Sequence, residues 1–340
     1  MRCSGILMHI SSLPGPYGIG TMGKKAFEFV DFLESSGQSI WQILPLTPTG
    51  YGDSPYQSCS AFAGNHYLID LETLVDEGLL KKAEVEAVAW CHSDTKADFG
   101  LLYNNRLNVL RIAYSRFRDD KALEAFCREN DSWLRDFGLF MALKNRFGGK
   151  PWYQWDKKLK FREAFTLAQA FESFKEEIRF FCFVQYLFFK QWKALRAYAH
   201  SKNIRIIGDV PIYVPYDSVE VWKDPQLFQL DESLNPAAVA GCPPDAFSED
   251  GQLWGNPLYR WDVMQKDGFR WWIRRLAAAG DLYDIVRMDH FRGLEAYWSI
   301  PFGAETAKGG KWIKGPGMAF VDAVKKHLPK LDMIAEDLGF

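Results

Sequence analysis

The segment Ile285-Val286-Arg287-Met288-Asp289-His290-Phe291-Arg292-Gly293 places a guanidinium and a carboxylate two residues apart at the end of an apolar run. On a strand, successive side chains alternate faces, so Arg287 and Asp289 point one way and Met288 the other. A carboxylate beside a guanidinium stays ionised, which suits a nucleophile that attacks an anomeric carbon. A purely structural ion pair explains the same two residues equally well. A second carboxylate, Glu336, ends another apolar run in Ala335-Glu336-Asp337-Leu338-Gly339. Ala335 and Leu338 would give it the apolar surroundings in which a carboxyl serves as proton donor. Two strand-end carboxylates with opposed duties suit retaining glycoside chemistry, where they stand roughly 5–5.5 Å apart. A third acid, Asp209, closes Ile204-Arg205-Ile206-Ile207-Gly208-Asp209 and has a turn or helix cap as its plainer reading.

Such groups need strands to aim them. Short apolar runs ending in polar residues occur at 5–10, 40–44, 204–209, 283–289 and 333–336, several followed by a helical pattern. This alternation predicts a parallel sheet built from βα units, an α/β fold. The first helix is expected at 24–36, where Phe27, Val30, Phe32 and Leu33 form a stripe and Gly37 supplies a stop. Another is expected at about 319–327, after a long link containing Pro301, Gly309, Gly310 and Gly315-Pro316-Gly317. Between the second and third runs the texture changes, and residues 71–202 read as an inserted, mainly helical subdomain. Its longest stretch, 161–201, carries Phe165, Leu167, Phe171, Phe174, Ile178, Phe181, Phe188 and Trp192 on one helical face, a packing stripe. The division predicted is therefore 1–70 and 203–340 for the strand-bearing part and 71–202 for the insertion.

Composition narrows the partners. The 340 residues are 48% hydrophobic and carry 41 basic against 43 acidic groups, a formal charge of −2. No net field recruits nucleic acid or an anionic membrane, and a neutral or small polar substrate fits better. Six dispersed cysteines without a CxxC pair argue against zinc and a redox motif, and suit reduced thiols. The few apolar residues before His9 are too short for a signal peptide, and no stretch approaches the roughly 20 apolar residues of a membrane span. A cytoplasmic protein is expected. Gly18-Ile19-Gly20-Thr21-Met22-Gly23 matches the dinucleotide fingerprint GxGxxG, but no Asp or Glu lies between Glu34 and Asp53 to hold a ribose. A glycine-rich surface loop is the better reading.

Aromatic residues make up 16% of the chain, with 13 Trp, and many sit in Gly/Pro-rich stretches. One such stretch runs from Trp41 through Gly50-Tyr51-Gly52-Asp53-Ser54-Pro55-Tyr56-Gln57 to Asn65. Another runs from Gly241-Cys242-Pro243-Pro244-Asp245 through Gly251-Gln252-Leu253-Trp254-Gly255-Asn256-Pro257. Rings flanked by small polar groups suit a sugar, which has apolar faces and a polar rim. Together with Ser12-Leu13-Pro14-Gly15-Pro16-Tyr17-Gly18-Ile19-Gly20, Asp209, Asp289 and Glu336, these segments resemble 4-alpha-glucanotransferases of glycoside hydrolase family 77, in the α-amylase clan.

The resemblance implies a TIM-type (β/α)8 barrel with inserted subdomains that transfers a segment of an α-1,4-glucan to a new 4-position on glucose or another glucan. It assigns Asp289 as nucleophile, Glu336 as general acid/base and Arg287 as the group positioning Asp289. It places Ser54, Tyr56, Asp209 and Trp254 on the donor side, and Tyr51 and Tyr103 at an outlying glucan site. It makes the loop from Gly241 to Gln252 a lid over the bound chain. Asp245 and His9 complete the substrate-binding candidates. Maltooligosaccharides and glucose are the implied partners, and no metal or organic cofactor is expected. Cys242 and Ala246 stand in the lid where the family often has an aliphatic and an aromatic residue. The family's barrel needs eight strands and a third carboxylate on a later strand, whereas five runs are counted here, the fifth ending at Glu336. The expectation is a C-terminally truncated barrel lacking full activity. An α-glucan hydrolase and a non-catalytic glucan-binding fragment are the alternatives.

Overall fold

The computed structural model describes residues 3–93, 95–246 and 248–336, and of Tyr51 the backbone alone. Nine strands are described: β1 (Gly5–Leu7), β2 (Ile40–Gln42), β3 (Arg205–Val210), β4 (Ala238–Cys242), β5 (Gln252–Pro257), β6 (Ile285–Met288), β7 (Ala296–Pro301), β8 (Lys311–Lys314) and β9 (Met333–Ala335). Five of them form one sheet in the order β1-β2-β3-β6-β9. The pairs β1–β2, β2–β3 and β6–β9 run parallel. All five correspond to the runs expected from sequence. The order has two ends, β1 and β9, and does not close into a ring among the described residues.

The other four strands form an antiparallel sheet in the order β5-β4-β7-β8. This sheet is absent from the expectation. Its strands lie in stretches whose glycines and prolines read as loop, yet cross-strand pairing such as Trp298 opposite Trp312 holds them as ladders. Helices Lys24–Ser35 and Met318–His327 lie where the apolar spacing puts them.

The chain packs as two compact units, Met1–Pro48 with Ala63–Arg146 and Ala168–Ile207, and Thr49–Phe62 with Phe147–Leu167 and Gly208–Phe340. In the first, helix Lys175–Ser201 buries Phe180, Phe183, Phe188 and Trp192. Two of its glutamines clamp the chain beyond β2. Gln185 bonds both the N–H and the carbonyl of Gly64 at 2.7 and 2.9 Å, and Gln191 does the same for Asp70 at 2.7 and 3.1 Å. Each buried amide thus meets its full backbone complement. The packing stripe expected over 161–201 is interrupted: Arg162 adopts a φ of 52°, helix Ala164–Ser173 ends before Phe174, and Phe165 is 69% exposed. Helical spacing alone does not tell a covered face from an open one.

The GxGxxG glycines serve close packing. A Cβ on Gly20 would meet the Ile10 carbonyl oxygen at 2.0 Å, and one on Gly23 would meet Oδ2 of Asp70 at 2.1 Å. The Asp70 carboxylate, which accepts a 2.7 Å hydrogen bond from Thr21, stands where a dinucleotide phosphate would have to approach. Among the described residues no helix is long and apolar enough to cross a membrane.

In the second unit Trp152, Trp222, Trp272 and Tyr259 are fully buried, with Tyr259 packed edge-on to Trp272. Here Glu220, fully buried, accepts hydrogen bonds from Ser60 Oγ at 3.0 Å and from the Ala61 N–H at 2.9 Å. It ties down the loop that carries Ser54 and Tyr56.

Candidate active site

The second unit brings the acids to the ends of neighbouring strands. Asp209 lies within β3, while Asp289 follows β6 and Glu336 follows β9. The N–H of Asp289 bonds the carbonyl of Val210 at 3.1 Å, and that of Glu336 bonds the carbonyl of Met288 at 3.2 Å, so each ladder extends to the acid it presents. One guanidinium joins all three. Arg287 Nη1 donates to Asp209 Oδ1 at 2.6 Å and to Asp289 Oδ1 at 3.0 Å, and Nη2 donates to Glu336 Oε1 at 2.7 Å. Asp209 also accepts a 2.7 Å bond from the Tyr56 hydroxyl. It is therefore no turn cap.

Three carboxylates against one guanidinium leave an excess of two negative charges in a partly dry site. Burial first, then the charges of Asp209 and Glu336, push Asp289 up to about 6, against the pull of Arg287. The guanidinium expected to keep Asp289 ionised does pull it down, but its charge is divided among three partners and desolvation outweighs its share. Burial likewise raises Asp209 despite its bonds to Tyr56 and Arg287. Burial opposes the charge on Arg287, but the three carboxylates outweigh it and raise its pKa. Tyr56 is pushed up by burial and by its bond to Asp209, and stays a neutral donor.

His290 was not singled out from sequence. It adopts a left-handed turn with φ 52°, which swings its N–H back onto Glu336 Oε2 at 2.5 Å. Its ring stands edge-on to Trp254 at 4.9 Å and 90°, and burial keeps it neutral. Its Nε2 is buried without a hydrogen-bond partner among the described residues, as is Nη1 of Arg292.

A cavity of about 570 Å³ opens beside these groups. Of the expected residues, Ser54, Tyr56, Asp245, Trp254, Asp289 and Glu336 line it, with Arg287 and Asp209 behind the carboxylates. Asn256, from the loop expected to meet a sugar, also lines it, as do Tyr213, His290, Arg292 and Trp312, which were not anticipated. His290 and Arg292 lie inside the motif around Asp289, so the motif itself was their only signal; Trp312 had none beyond its neighbouring glycines. Asp245 shapes the β4–β5 turn by accepting a 2.8 Å bond from the Ser248 N–H. The stretch from Gly241 to Gln252, expected as a lid, connects the paired stems of a β-hairpin. His9 and Tyr103 belong to the other unit; His9 is buried and its pKa is lowered to about 4 by desolvation, and Tyr103 is 69% exposed. Nothing is described of the Tyr51 side chain, and Leu338 and Asp337 lie outside the described residues.

The profile of glycoside hydrolase family 77, 4-alpha-glucanotransferase, matches residues 8–340. The chain belongs to the 4-alpha-glucanotransferase family. It is 51% identical over 336 residues to the 4-alpha-glucanotransferase of Clostridium butyricum, covering 98% of this chain and 69% of that protein. It is 48% identical over 342 residues to that of Aquifex aeolicus, covering 100% of this chain and 70% of the relative. Among solved structures it superposes on the amylomaltase from Streptococcus agalactiae in complex with acarbose with a TM-score of 0.97 at 46% identity, over 100% of this chain and 70% of that one. An amylomaltase from Corynebacterium glutamicum, 19% identical, shares the fold with a TM-score of 0.78 over 99% of this chain and 47% of that one. The glucanotransferase fold is therefore α/β, of the (β/α)8-barrel type, and its reaction is glycosyl transfer on α-1,4-glucans. Neither a hydrolase nor a non-catalytic binding fragment is favoured by these relatives.

Proposed function

We propose that Asp289 is the nucleophile and Glu336 the general acid/base of a two-step, retaining transfer. In the first step Glu336 protonates the glycosidic oxygen as Asp289 Oδ attacks the anomeric carbon, releasing the reducing-end segment and leaving a glucosyl ester on Asp289. In the second, Glu336 takes the proton from the 4-hydroxyl of an acceptor glucan, whose oxygen displaces Asp289. The observation that carries this reading is the convergence of both carboxylates on one guanidinium at adjacent strand ends, beside a cavity of about 570 Å³. With a pKa of about 6, Asp289 is largely ionised at neutral pH and keeps the reactivity of a weakly solvated carboxylate.

Arg287 orients Asp289 and spreads the negative charge. Tyr56 and Asp209 hold the donor sugar, with Ser54, Trp254 and Asp245 completing its wall; the hydrogen bond between Tyr56 and Asp209 supports a shared task. His9 is kept as a substrate-binding residue, supported by its buried Nδ1, which has no partner among the described residues. Tyr103 is read as an outlying glucan-binding residue, supported by an exposed ring on helix Phe99–Arg116, and Tyr51 is kept as a glucan-binding residue in its own unit. The substrates are α-1,4-glucans, maltooligosaccharides and glucose; a carbohydrate ligand in the S. agalactiae amylomaltase is in keeping with this. Residues 1–70 and 203–340 form the catalytic layer and 71–202 a helical insertion, a division supported by helices throughout the latter. Six cysteines dispersed along the chain without a CxxC pair support a cytoplasmic setting.

Incubation with maltotriose of an enzyme in which this sequence is part of a complete eight-stranded barrel is the test. A ladder of longer maltooligosaccharides plus glucose is expected, and Asp289→Ala should remove it by at least about a thousandfold. Hydrolysis products alone, or a ladder that survives the substitution, would sink the assignment.

A further inference from the structure

The cavity has a second wall that the transfer chemistry does not use. Trp312, on the outer strand β8 of the antiparallel sheet, lines it and is 41% exposed, unusual for so large an apolar ring. Its position is built rather than incidental. It sits directly across from Trp298 in the β7–β8 ladder, with ring centroids 5.2 Å apart and planes at 69°. Trp298 is in turn fixed by a 2.9 Å bond from Nε1 to the Ala307 carbonyl and by packing on Val239 and Ile300. Gly310 leaves the room this needs: a Cβ there would meet Trp298 Nε1 at 2.2 Å.

The guanidinium of Arg292 lies 4.0 Å over the Trp312 ring. It covers one face of the indole and keeps the ring from collapsing onto neighbouring apolar surface. Arg292 also lines the cavity, and its Nη1 is buried with no hydrogen-bond partner among the described residues. A buried donor without a protein partner, next to an open aromatic surface, carries a desolvation cost that a hydrogen-bonding ligand recovers. A ligand with hydroxyls on its rim and C–H groups on its face satisfies both at once.

We infer that Arg292 and Trp312 form a glucosyl-binding subsite set to the side of the cleavage position, where a sugar further along an α-1,4-glucan stacks on the indole and accepts from Arg292. The inference rests on the reading of this cavity as the glucan site. Neither residue bonds the Arg287 cluster, so the subsite adds affinity for long chains without taking part in bond exchange. It makes the antiparallel sheet a chain-length gauge.

Calorimetric titration with maltotriose and maltoheptaose, in an Asp289→Ala background that leaves the ligands intact, tests this. Trp312→Ala should weaken maltoheptaose binding by about tenfold while changing maltotriose by less than about twofold. Arg292→Gln should reproduce a smaller loss for the long chain only, and Trp312→Phe should restore most of the affinity. Unchanged maltoheptaose binding in Trp312→Ala, equal losses at both lengths, or failure of the phenylalanine to rescue would overturn the subsite and leave the transferase reading standing. No glucan binding by the parent variant would overturn both.

Discussion

Asp289, proposed above as the nucleophile, carries a cost in stability. Its folded pKa, about 6, lies above the 3.8 of an ordinary aspartate, so the folded chain binds more protons than the unfolded one between these values. Stability must then fall as pH rises from about 4 to about 6 on account of this group. Replacing it by the uncharged, isosteric asparagine removes the penalty. Asp289→Asn is expected to melt higher than the parent at pH 7, with the difference shrinking towards nothing at pH 4. Thermal unfolding followed by circular dichroism across this range checks it, and a lower melting temperature at pH 7 would contradict the crowding of three carboxylates on Arg287.

Among the elements, the loop carrying Ser54 and Tyr56 depends on a residue remote from the cavity. Glu220, in helix Val219–Lys223, collects Ser60 Oγ and the Ala61 N–H, and the Val219 N–H bonds the Cys59 carbonyl at 2.9 Å. Burial raises the pKa of Glu220, and the donors around it oppose only part of that penalty. Glu220→Ala strands two buried donors and should cost about 1–3 kcal/mol in unfolding free energy. Because Tyr56 reaches Asp209 from this loop, KM for maltotriose should rise as well. Glu220→Gln, which keeps an acceptor oxygen, should recover most of both. Equal damage by the two substitutions would show that the charge matters and the hydrogen bonds do not.

For the molecule as a whole, the parallel order ends on β1 and β9, and each end carries an exposed apolar side chain, Leu7 at 55% and Ile334 at 42%. Edge strands with apolar side chains and little charge invite pairing with another chain. A net charge of only −2 offers little repulsion against it. This 340-residue chain is expected to self-associate with rising concentration in sedimentation velocity, and Leu7→Lys to reduce that association. A monomer at every concentration would refute the expectation.

The sequence by itself determined the five strands, the flanking helices and the choice of Asp209, Asp289 and Glu336 as the acids to follow, which the fold gathers on Arg287. Each depends on neighbours along the chain: apolar runs of strand length, side chains alternating at Arg287 and Asp289, and motifs distinctive enough to carry a family. The tertiary structure decided what depends on residues far apart in the chain. The antiparallel sheet was hidden because its strands are short, lie among glycine- and proline-bearing stretches, and gain their stability from cross-strand partners such as Trp298 and Trp312. Glycines 20 and 23, which resemble a nucleotide loop, proved to be places where backbone and a carboxylate approach too closely for a side chain. The sharing of Arg287 among Asp209, Asp289 and Glu336 could not be read locally either, since those acids lie up to 127 positions apart, 209 to 336. Charge and burial act through space, and only the fold says which charges are near.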